Sequence, residues 1–334
     1  PQQTELRGLL TAMTSAKPDT FALFGRDLFG DPVKPRAAAG PLSQAFTLPP
    51  FSVLDAQQGA WQERKRAWLS LGIKGESGRG EALTWVGRAV DDAMDETSRK
   101  ILAAQASGAT SVFDPVLCEL AYRWFAPPGG LILDPFAGGS VRGVVASLLG
   151  RRYTGIELRA EQVEANRTQG ATLCAGAEPQ WIEGDSRHAA TLAPEPADFL
   201  FSCPPYGDLE CYSDDPRDLS TLDYPAFVSA YREVIAAACG VLKQHRFAAF
   251  VVGEIRGKDG HYRNFVGDTI AAFETAGLRY YNEAILITSV GSLPIRVSRS
   301  FPAGRKLGKS HQNLLVFVKG DWKKAAEACA DVTP

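Results

Sequence analysis

The chain reads as an α/β protein built on one doubly wound sheet, mostly parallel, with an antiparallel last strand. Two observations predict this: seven short apolar runs, most of them closed by Asp, Glu, Gly or Pro, and helix-like segments set between most of the runs. Apolar strands that alternate with helices form a parallel sheet covered on both faces. With 45% hydrophobic residues in 334, there is enough apolar material for one large core.

Residues 1–50 carry clustered Pro, Gly and Ala (DPVKPRAAAGPL) and read as an extended or locally ordered arm. Residues 51–110 form a helical extension in which basic and aromatic residues mix. Its segment WQERKRAWLSL fits an amphipathic helix with Trp61, Trp68 and Leu69 inward and Arg64, Lys65 and Arg66 in solvent; contact of those charges with a nucleic-acid backbone is the alternative. The polar stretch DDAMDETSRK leads to a helix, PVLCELAYRWF, which APPGG stops. The strands are LILDPF (131–136), RYTGIEL (152–158), PQWIEGDS (179–186), ADFLFSCPP (197–205), RFAAFVVGEI (246–255), YYNEAILIT (280–288) and NLLVFVKG (313–320). Between them VRGVVASLLG, AEQVEANRTQ, PAFVSAYREVIAAACGVL and NFVGDTIAAFETAG read as helices. No good helix separates the last two strands, so the final one is expected to return as a hairpin. Residues 111–320 make the main domain, with a basic loop at 289–312 and a tail at 321–334.

Composition removes several classes. A net charge of −2 does not suit a protein that coats nucleic acid over its whole surface, although it permits a local basic patch. No apolar run approaches the roughly 20 residues of a membrane span, and PQQTELRGLL lacks a signal core, so no membrane partner and a cytoplasmic location are expected. The six cysteines are scattered without C-x-x-C spacing, which disfavours a zinc site or a disulfide framework. No metal is expected. The chain is expected to be a monomer or a homodimer.

Ligands of open α/β sheets sit beyond the carboxyl ends of the strands, so the residues closing each run carry the chemistry. The first run closes as DPFAGGSVRG, whose glycines allow close approach of backbone to a ligand. A phosphate loop does not fit, because no Lys-Ser/Thr follows the glycines and Asp134 would repel a phosphate. The second run closes with Glu157, placed to accept ribose hydroxyls, and the third with Asp185, placed to accept from an adenine amino group. An acid after each of three strands suits a nucleoside that carries a cationic amino acid rather than a pyrophosphate.

DPFAGGS, GIEL, GDS and the PPY of SCPPY resemble the cofactor and catalytic motifs of S-adenosylmethionine-dependent DNA amino-methyltransferases, over roughly residues 111–320. The whole chain, FSVLDAQQGAWQERKRAWLSLGI included, resembles the DNA modification methylases of phages and prophages. The resemblance implies the Rossmann-like seven-stranded methyltransferase fold, S-adenosylmethionine as cofactor and double-stranded DNA as partner. It places Phe113, Asp114, Asp134, Phe136, Ala137 and Gly138 at the methionine end of the cofactor, Glu157 on the ribose and Asp185 on the adenine edge, with Ser202 among the cofactor-binding set.

At the catalytic motif the chain departs from this family. The residue before PPY is usually Asp, Asn or Ser, an oxygen that accepts from the amine of a flipped base while the tyrosine stacks on that base. Here it is Cys203, a poor acceptor, followed by Pro204, Pro205 and Tyr206. A cysteine supports other chemistry: a thiolate attacking C6 of cytosine activates C5 for methylation, with an acid to protonate N3. Methyltransferases of that kind place Cys after the fourth strand and Glu after the fifth, as Cys203 and Glu254 stand here. Sequence alone puts C5 methylation of cytosine slightly ahead. Exocyclic-amine methylation at N4 of cytosine or N6 of adenine stays open, as does a catalytically silent DNA-binding or partner subunit. Against both functional residues stands the ordinary reading, a small buried thiol and a solvated strand end.

SVGSLPIRVSRSFPAGRKLGKSHQN concentrates Arg296, Arg299, Arg305, Lys306 and Lys309 without an acid. A solvated loop would explain it, but its place beside the catalytic strand favours contact with DNA. The turn DLECYSDDPRD after PPY reads as a lid over the base.

Overall fold

The computed structural model describes residues 41–73, 112–207, 213–288, 290–291 and 293–329. The arm before residue 41, the stretch DDAMDETSRK and residues 208–212 of the expected lid lie outside the described residues. The chain divides into two compact units, residues 1–50 with 332–334, and residues 51–331. In the first, Pro41–Phe46 is helical (α1).

The second unit is built on one sheet of eight strands: β1 Val53–Asp55, β2 Leu131–Asp134, β3 Arg152–Glu157, β4 Gln180–Glu183, β5 Ala197–Ser202, β6 Leu242–Val252, β7 Arg279–Ile287 and β8 His311–Lys319. Their order is β1-β7-β8-β6-β5-β2-β3-β4, with β8 antiparallel to both neighbours and every other pair parallel. The α/β class is as the sequence predicts, with eight strands instead of seven. The extra one is β1, which the sequence placed in the helical extension. It pairs Val53, Leu54 and Asp55 with Ile285, Leu286 and Ile287 of β7. Three residues are too short for a periodic signal, and only the free edge of β7 makes them a strand.

The helices are α2 Gly59–Ser70, α3 Pro115–Phe125, α4 Val141–Leu148, α5 Ala160–Leu173, α6 Ala189–Leu192, α7 Tyr224–Val241, α8 Phe265–Thr275, α9 Leu293–Gly304 and α10 Trp322–Ala328. α9 corrects the expectation of a hairpin loop: the basic stretch between β7 and β8 is helical, with Pro302 in its last turn and no buried residue. Leu293, Val297 and Phe301 recur at helical spacing but none is buried, and the basic residues, Ser, Pro and Gly around them made the stretch read as a loop.

Strand β5 shows how the layers form. All six of its residues are buried, as a strand covered on both faces requires. Leu200 faces a core shared with Phe227 and Tyr231 of α7, Phe265 and Phe273 of α8, and Phe317 of β8. Phe199 and Phe201 face the other layer, where Tyr122 of α3 meets both rings edge-on at 6.4 and 5.3 Å.

Helix α2 is fixed to that second layer by Glu119 of α3, which is fully buried. Its carboxylate accepts from Arg64 Nε at 2.6 Å and Nη2 at 2.5 Å, from Trp68 Nε1 at 2.8 Å and from Arg123 Nε at 3.0 Å. Burial pushes this carboxyl up, but Arg64, Arg123 and the indole outweigh it and hold it below the usual carboxylate range. Trp61 and Trp68 are buried as expected, whereas Leu69 is only partly so. Arg64 and Lys65 are not solvated charges: Lys65 pairs with Asp114 at 3.0 Å.

The chain runs from β2 outward through β3 and β4, then returns to place β5 on the other side of β2. The order reverses between β2 and β5, and at such a switch point the loops diverge and leave a crevice beyond the carboxyl ends.

Candidate active site

A cavity of about 480 Å³ lies at that crevice, within the size range of small-molecule sites. Phe113, Asp114, Phe136, Gly138, Glu157, Asp185, Cys203, Pro204, Pro205 and Tyr206 all line it. The glycine turn after β2 and the CPPY turn after β5 thus open into one space.

Asp134 ends β2 but does not reach this space. It is completely buried, and its carboxylate accepts from Arg142 Nε and Ser202 Oγ at 2.5 Å each, Tyr153 Oη at 2.8 Å and Phe136 N at 3.1 Å. Four donors use up the acceptor sites of a carboxylate. The expectation that Asp134 contacts the methionine end is corrected accordingly: it ties β2, β3, β5 and α4 together beneath the turn. Ser202 is corrected with it, because its hydroxyl donates to Asp134 and accepts from Phe136 N at 3.2 Å. Ala137 is fully buried as well, and a Cβ on Gly155 would stand 2.8 Å from the Ala137 methyl. Gly155 therefore lets the turn settle onto β3.

Arg142, to which no sequence motif points, holds the turn from α4. Besides Asp134 it donates from Nη2 to the carbonyls of Phe136 at 2.5 Å and Ala137 at 2.9 Å, and its guanidinium lies 4.7 Å from the Phe113 ring centre. Burial lowers its affinity for the proton, but Asp134 overrides this and the group stays charged.

Gly138 takes φ 48°, a left-handed conformation that favours glycine. This directs its N–H to Glu157 Oε2 at 2.9 Å, while Oε1 accepts from Arg159 N at 3.0 Å. Asn166 Nδ2 closes the turn by donating to the Gly138 carbonyl at 2.7 Å. Glu157 also lines the cavity. Asp185 differs in its donors: Arg187 donates to it through its backbone N at 2.9 Å and a guanidinium fork at 2.6 to 3.1 Å. Burial raises the Asp185 carboxyl, and Arg187 pulls it back below the usual range. Asp114 caps α3 through Val116 N at 2.9 Å and accepts from Trp61 Nε1 at 3.1 Å and from Lys65.

After β5 the chain leaves the sheet at Cys203, whose Sγ is partly buried and 3.8 Å from Tyr206 Oη. The Tyr206 ring packs edge-on to Phe265 at 5.9 Å, and its hydroxyl accepts from Gln312 Nε2 at 2.8 Å. Gln312, the second residue of β8, lines the cavity, together with Gln62 and Lys65 of α2, Leu286 of β7 and Thr288 just beyond it. No motif announces Gln312; only the insertion of β8 between β6 and β7 brings it to the CPPY turn.

Glu254 is absent from the cavity lining. Asn264, the residue before α8, is left-handed at φ 61° and makes no side-chain cap. Glu254 takes over that duty, accepting from Phe265 N and Val266 N at 3.2 Å each. A carboxylate committed to a helix N-terminus satisfies backbone donors there instead of facing the cavity. Its expected catalytic position is thereby corrected.

Arg296, Arg299, Arg305 and Lys306 are exposed on or just beyond α9, which joins two strand ends at the cavity. Lys309 stands apart from them. It is partly buried, 3.4 Å from His311 Nε2, and burial moves its ammonium below the usual range, although Glu254 opposes the shift.

Residues 105–168, which include Asp114, the glycine turn and Glu157, match the family model described as DNA methylase. Comparison with curated proteins finds no match. Among solved structures, the chain is similar to TrmN from Thermus thermophilus, at 15% identity over 95% of this chain and 96% of that one, with a TM-score of 0.44. It is also similar to a putative RNA methyltransferase from Pyrococcus horikoshii, at 15% identity over 78% and 100% of the chains and a TM-score of 0.45. Magnesium protoporphyrin IX methyltransferase from Synechocystis PCC 6803 follows at 11% identity over 70% and 90%, with a TM-score of 0.41. The sheet order, the glycine turn over β2, the acid closing β3 and the family match define an enzyme of the methyltransferase class that uses S-adenosylmethionine. Among the described residues no helix is long and apolar enough to cross a membrane, and no His, Cys, Asp and Glu side chains group as a metal site.

Proposed function

We propose that the enzyme methylates the exocyclic amine of a flipped-out cytosine or adenine in double-stranded DNA. The observation that carries this reading is the match of residues 105–168 to a model of N6/N4-type DNA methylases. The CPPY turn supports it by closing the same cavity as the matched glycine turn. The position of Glu254, bonded to the α8 backbone and outside the cavity, removes the acid on which C5 methylation depends.

S-adenosylmethionine supplies a methyl group made electrophilic by its sulfonium. Toward it Glu157, held against the glycine turn by Gly138 and Arg159, presents a carboxylate at the cavity wall, which suits paired ribose hydroxyls. Phe113, Asp114, Phe136 and Gly138 line the cavity and are proposed to border the methionine end. Asp185 reaches an adenine amino group only by releasing part of the Arg187 fork. Pro204 and Pro205 fix the turn that presents Tyr206 as a platform for the base.

The product decides between the amine and C5. Mass spectrometry of nucleosides from treated DNA should show N4-methylcytosine or N6-methyladenine, and Cys203→Ser should keep the activity or raise it, since serine restores an oxygen acceptor. With 5-fluorocytosine in the DNA no covalent protein–DNA adduct should form. A cofactor-dependent adduct that is lost in Cys203→Ser, together with 5-methylcytosine, would overturn the proposal.

The exposed charges about α9 are proposed to meet the DNA backbone. Neutralising Arg296, Arg299, Arg305 and Lys306 together should weaken DNA binding and reduce the slope of log K against log salt by about one for each phosphate that is no longer neutralised. Affinity for S-adenosylmethionine should not move. Unaltered DNA binding at every salt concentration would show these charges to be merely solvated.

A further inference from the structure

We infer that Gln312 supplies the hydrogen-bond acceptor that Cys203 does not, and that its Oε1 orients the amine of the target base for methyl transfer. The inference rests on the amine reading above and names the residue that reading leaves missing. Both Gln312 and Cys203 line the cavity, and Tyr206 Oη joins them, 2.8 Å from Gln312 Nε2 and 3.8 Å from Cys203 Sγ. Donation from Nε2 to the tyrosine fixes the plane of the amide, and among the described residues no donor is bonded to Oε1. Donation of the amide N–H to the hydroxyl also draws negative charge toward Oε1.

Gln62 and Gln162 also line the cavity with an amide oxygen, but their Nε2 groups donate to the Ala56 carbonyl and to Asn166, and among the described residues no hydrogen bond ties either to the CPPY turn. Four further acceptors are committed elsewhere. Asp114 accepts from Val116 N, Trp61 and Lys65. Asp218 accepts from Ser213 and twice from Ser220, and Asp185 holds the Arg187 fork. Thr288 Oγ1 donates to the Ser310 carbonyl at 3.3 Å. Gln312 stands at the start of β8 in register with Leu286 of β7, so a packed strand pair rather than a mobile loop holds it.

The chemistry needs such an oxygen. The lone pair of a base amine is delocalised into the ring, and an acceptor on one N–H helps to free it. As the nitrogen bonds to the methyl carbon, the carbon–sulfur bond of the donor breaks with its electron pair on sulfur, and the nitrogen becomes positive. An amide oxygen stabilises that N⁺–H without taking the proton, which passes to water.

The test compares kcat, KM for duplex DNA, S-adenosylmethionine affinity by calorimetry and melting temperature across four proteins. Gln312→Ala should lower kcat about 10- to 100-fold, the scale of one hydrogen bond to a developing charge, with the other three quantities little changed. Tyr206→Phe keeps the ring and frees the amide, and should lose less than Gln312→Ala. The double variant Gln312→Ala/Cys203→Asn moves an amide oxygen to position 203 and should recover most of the missing kcat. Full activity in Gln312→Ala would overturn the inference. So would a loss matched by Tyr206→Phe, or one that the double variant, folded and binding cofactor, does not restore, because either result reduces Gln312 to a brace for the tyrosine. The product of the parent enzyme separates the two levels. N-methylated nucleosides uphold the amine reading whatever Gln312→Ala does, whereas 5-methylcytosine overturns both.

Discussion

Asp134→Ala is expected to unfold or severely destabilise the protein rather than to weaken cofactor binding selectively. The substitution leaves the Arg142 guanidinium, fully buried and bonded to two carbonyls of the glycine turn, without its counter-charge. Removing one partner of a buried ion pair costs about 3–5 kcal/mol, because the remaining charge is uncompensated. Tyr153 and Ser202 lose their acceptor at the same time. Chemical denaturation of Asp134→Ala and of Arg142→Ala should show comparable losses, and the double variant should lose less than their sum, as expected for residues in one network. A well-folded Asp134→Ala with selectively impaired cofactor affinity would instead place Asp134 against the ligand.

Glu157→Ala is expected to weaken S-adenosylmethionine binding by about 1.5–3 kcal/mol, the range for hydrogen bonds to a charged group, or roughly 10- to 100-fold in Kd. Two effects combine here: the proposed ribose acceptors disappear, and Gly138 and Arg159 lose the oxygens that fix the turn. Calorimetry on the purified variant measures the change directly. Affinity equal to the parent, in a protein with an unaltered melting temperature, would exclude Glu157 from the cofactor site.

These expectations differ for two acids that look alike in the sequence, each closing a strand of the same half-sheet. What separates them is a third strand and a helix. Ser202 from β5 and Arg142 from α4 converge on Asp134 and saturate it away from the cavity, whereas Glu157 accepts from the backbone N–H groups of Gly138 and Arg159 and lines the cavity. Glu254 makes the same point at β6, where the left-handed Asn264 transfers the capping of α8 to a carboxylate that the spacing had suggested for catalysis.

Legible in the sequence were the class of the fold, seven of its eight strands with the helices between most of them, and the two turns that open into the cavity. These follow from local information: apolar runs of strand length, and glycines and prolines that restrict the backbone. The tertiary structure alone decided which polar groups face that cavity. β1 exists because β7 offers it an unpaired edge. Arg64 is a partly buried ion-pair partner because α3 places the buried Glu119 against it. Gln312 reaches Tyr206 because β8 turns antiparallel between β6 and β7. A side chain's chemistry depends on donors and charges distant in sequence, and no periodicity or spacing records where the fold brings them.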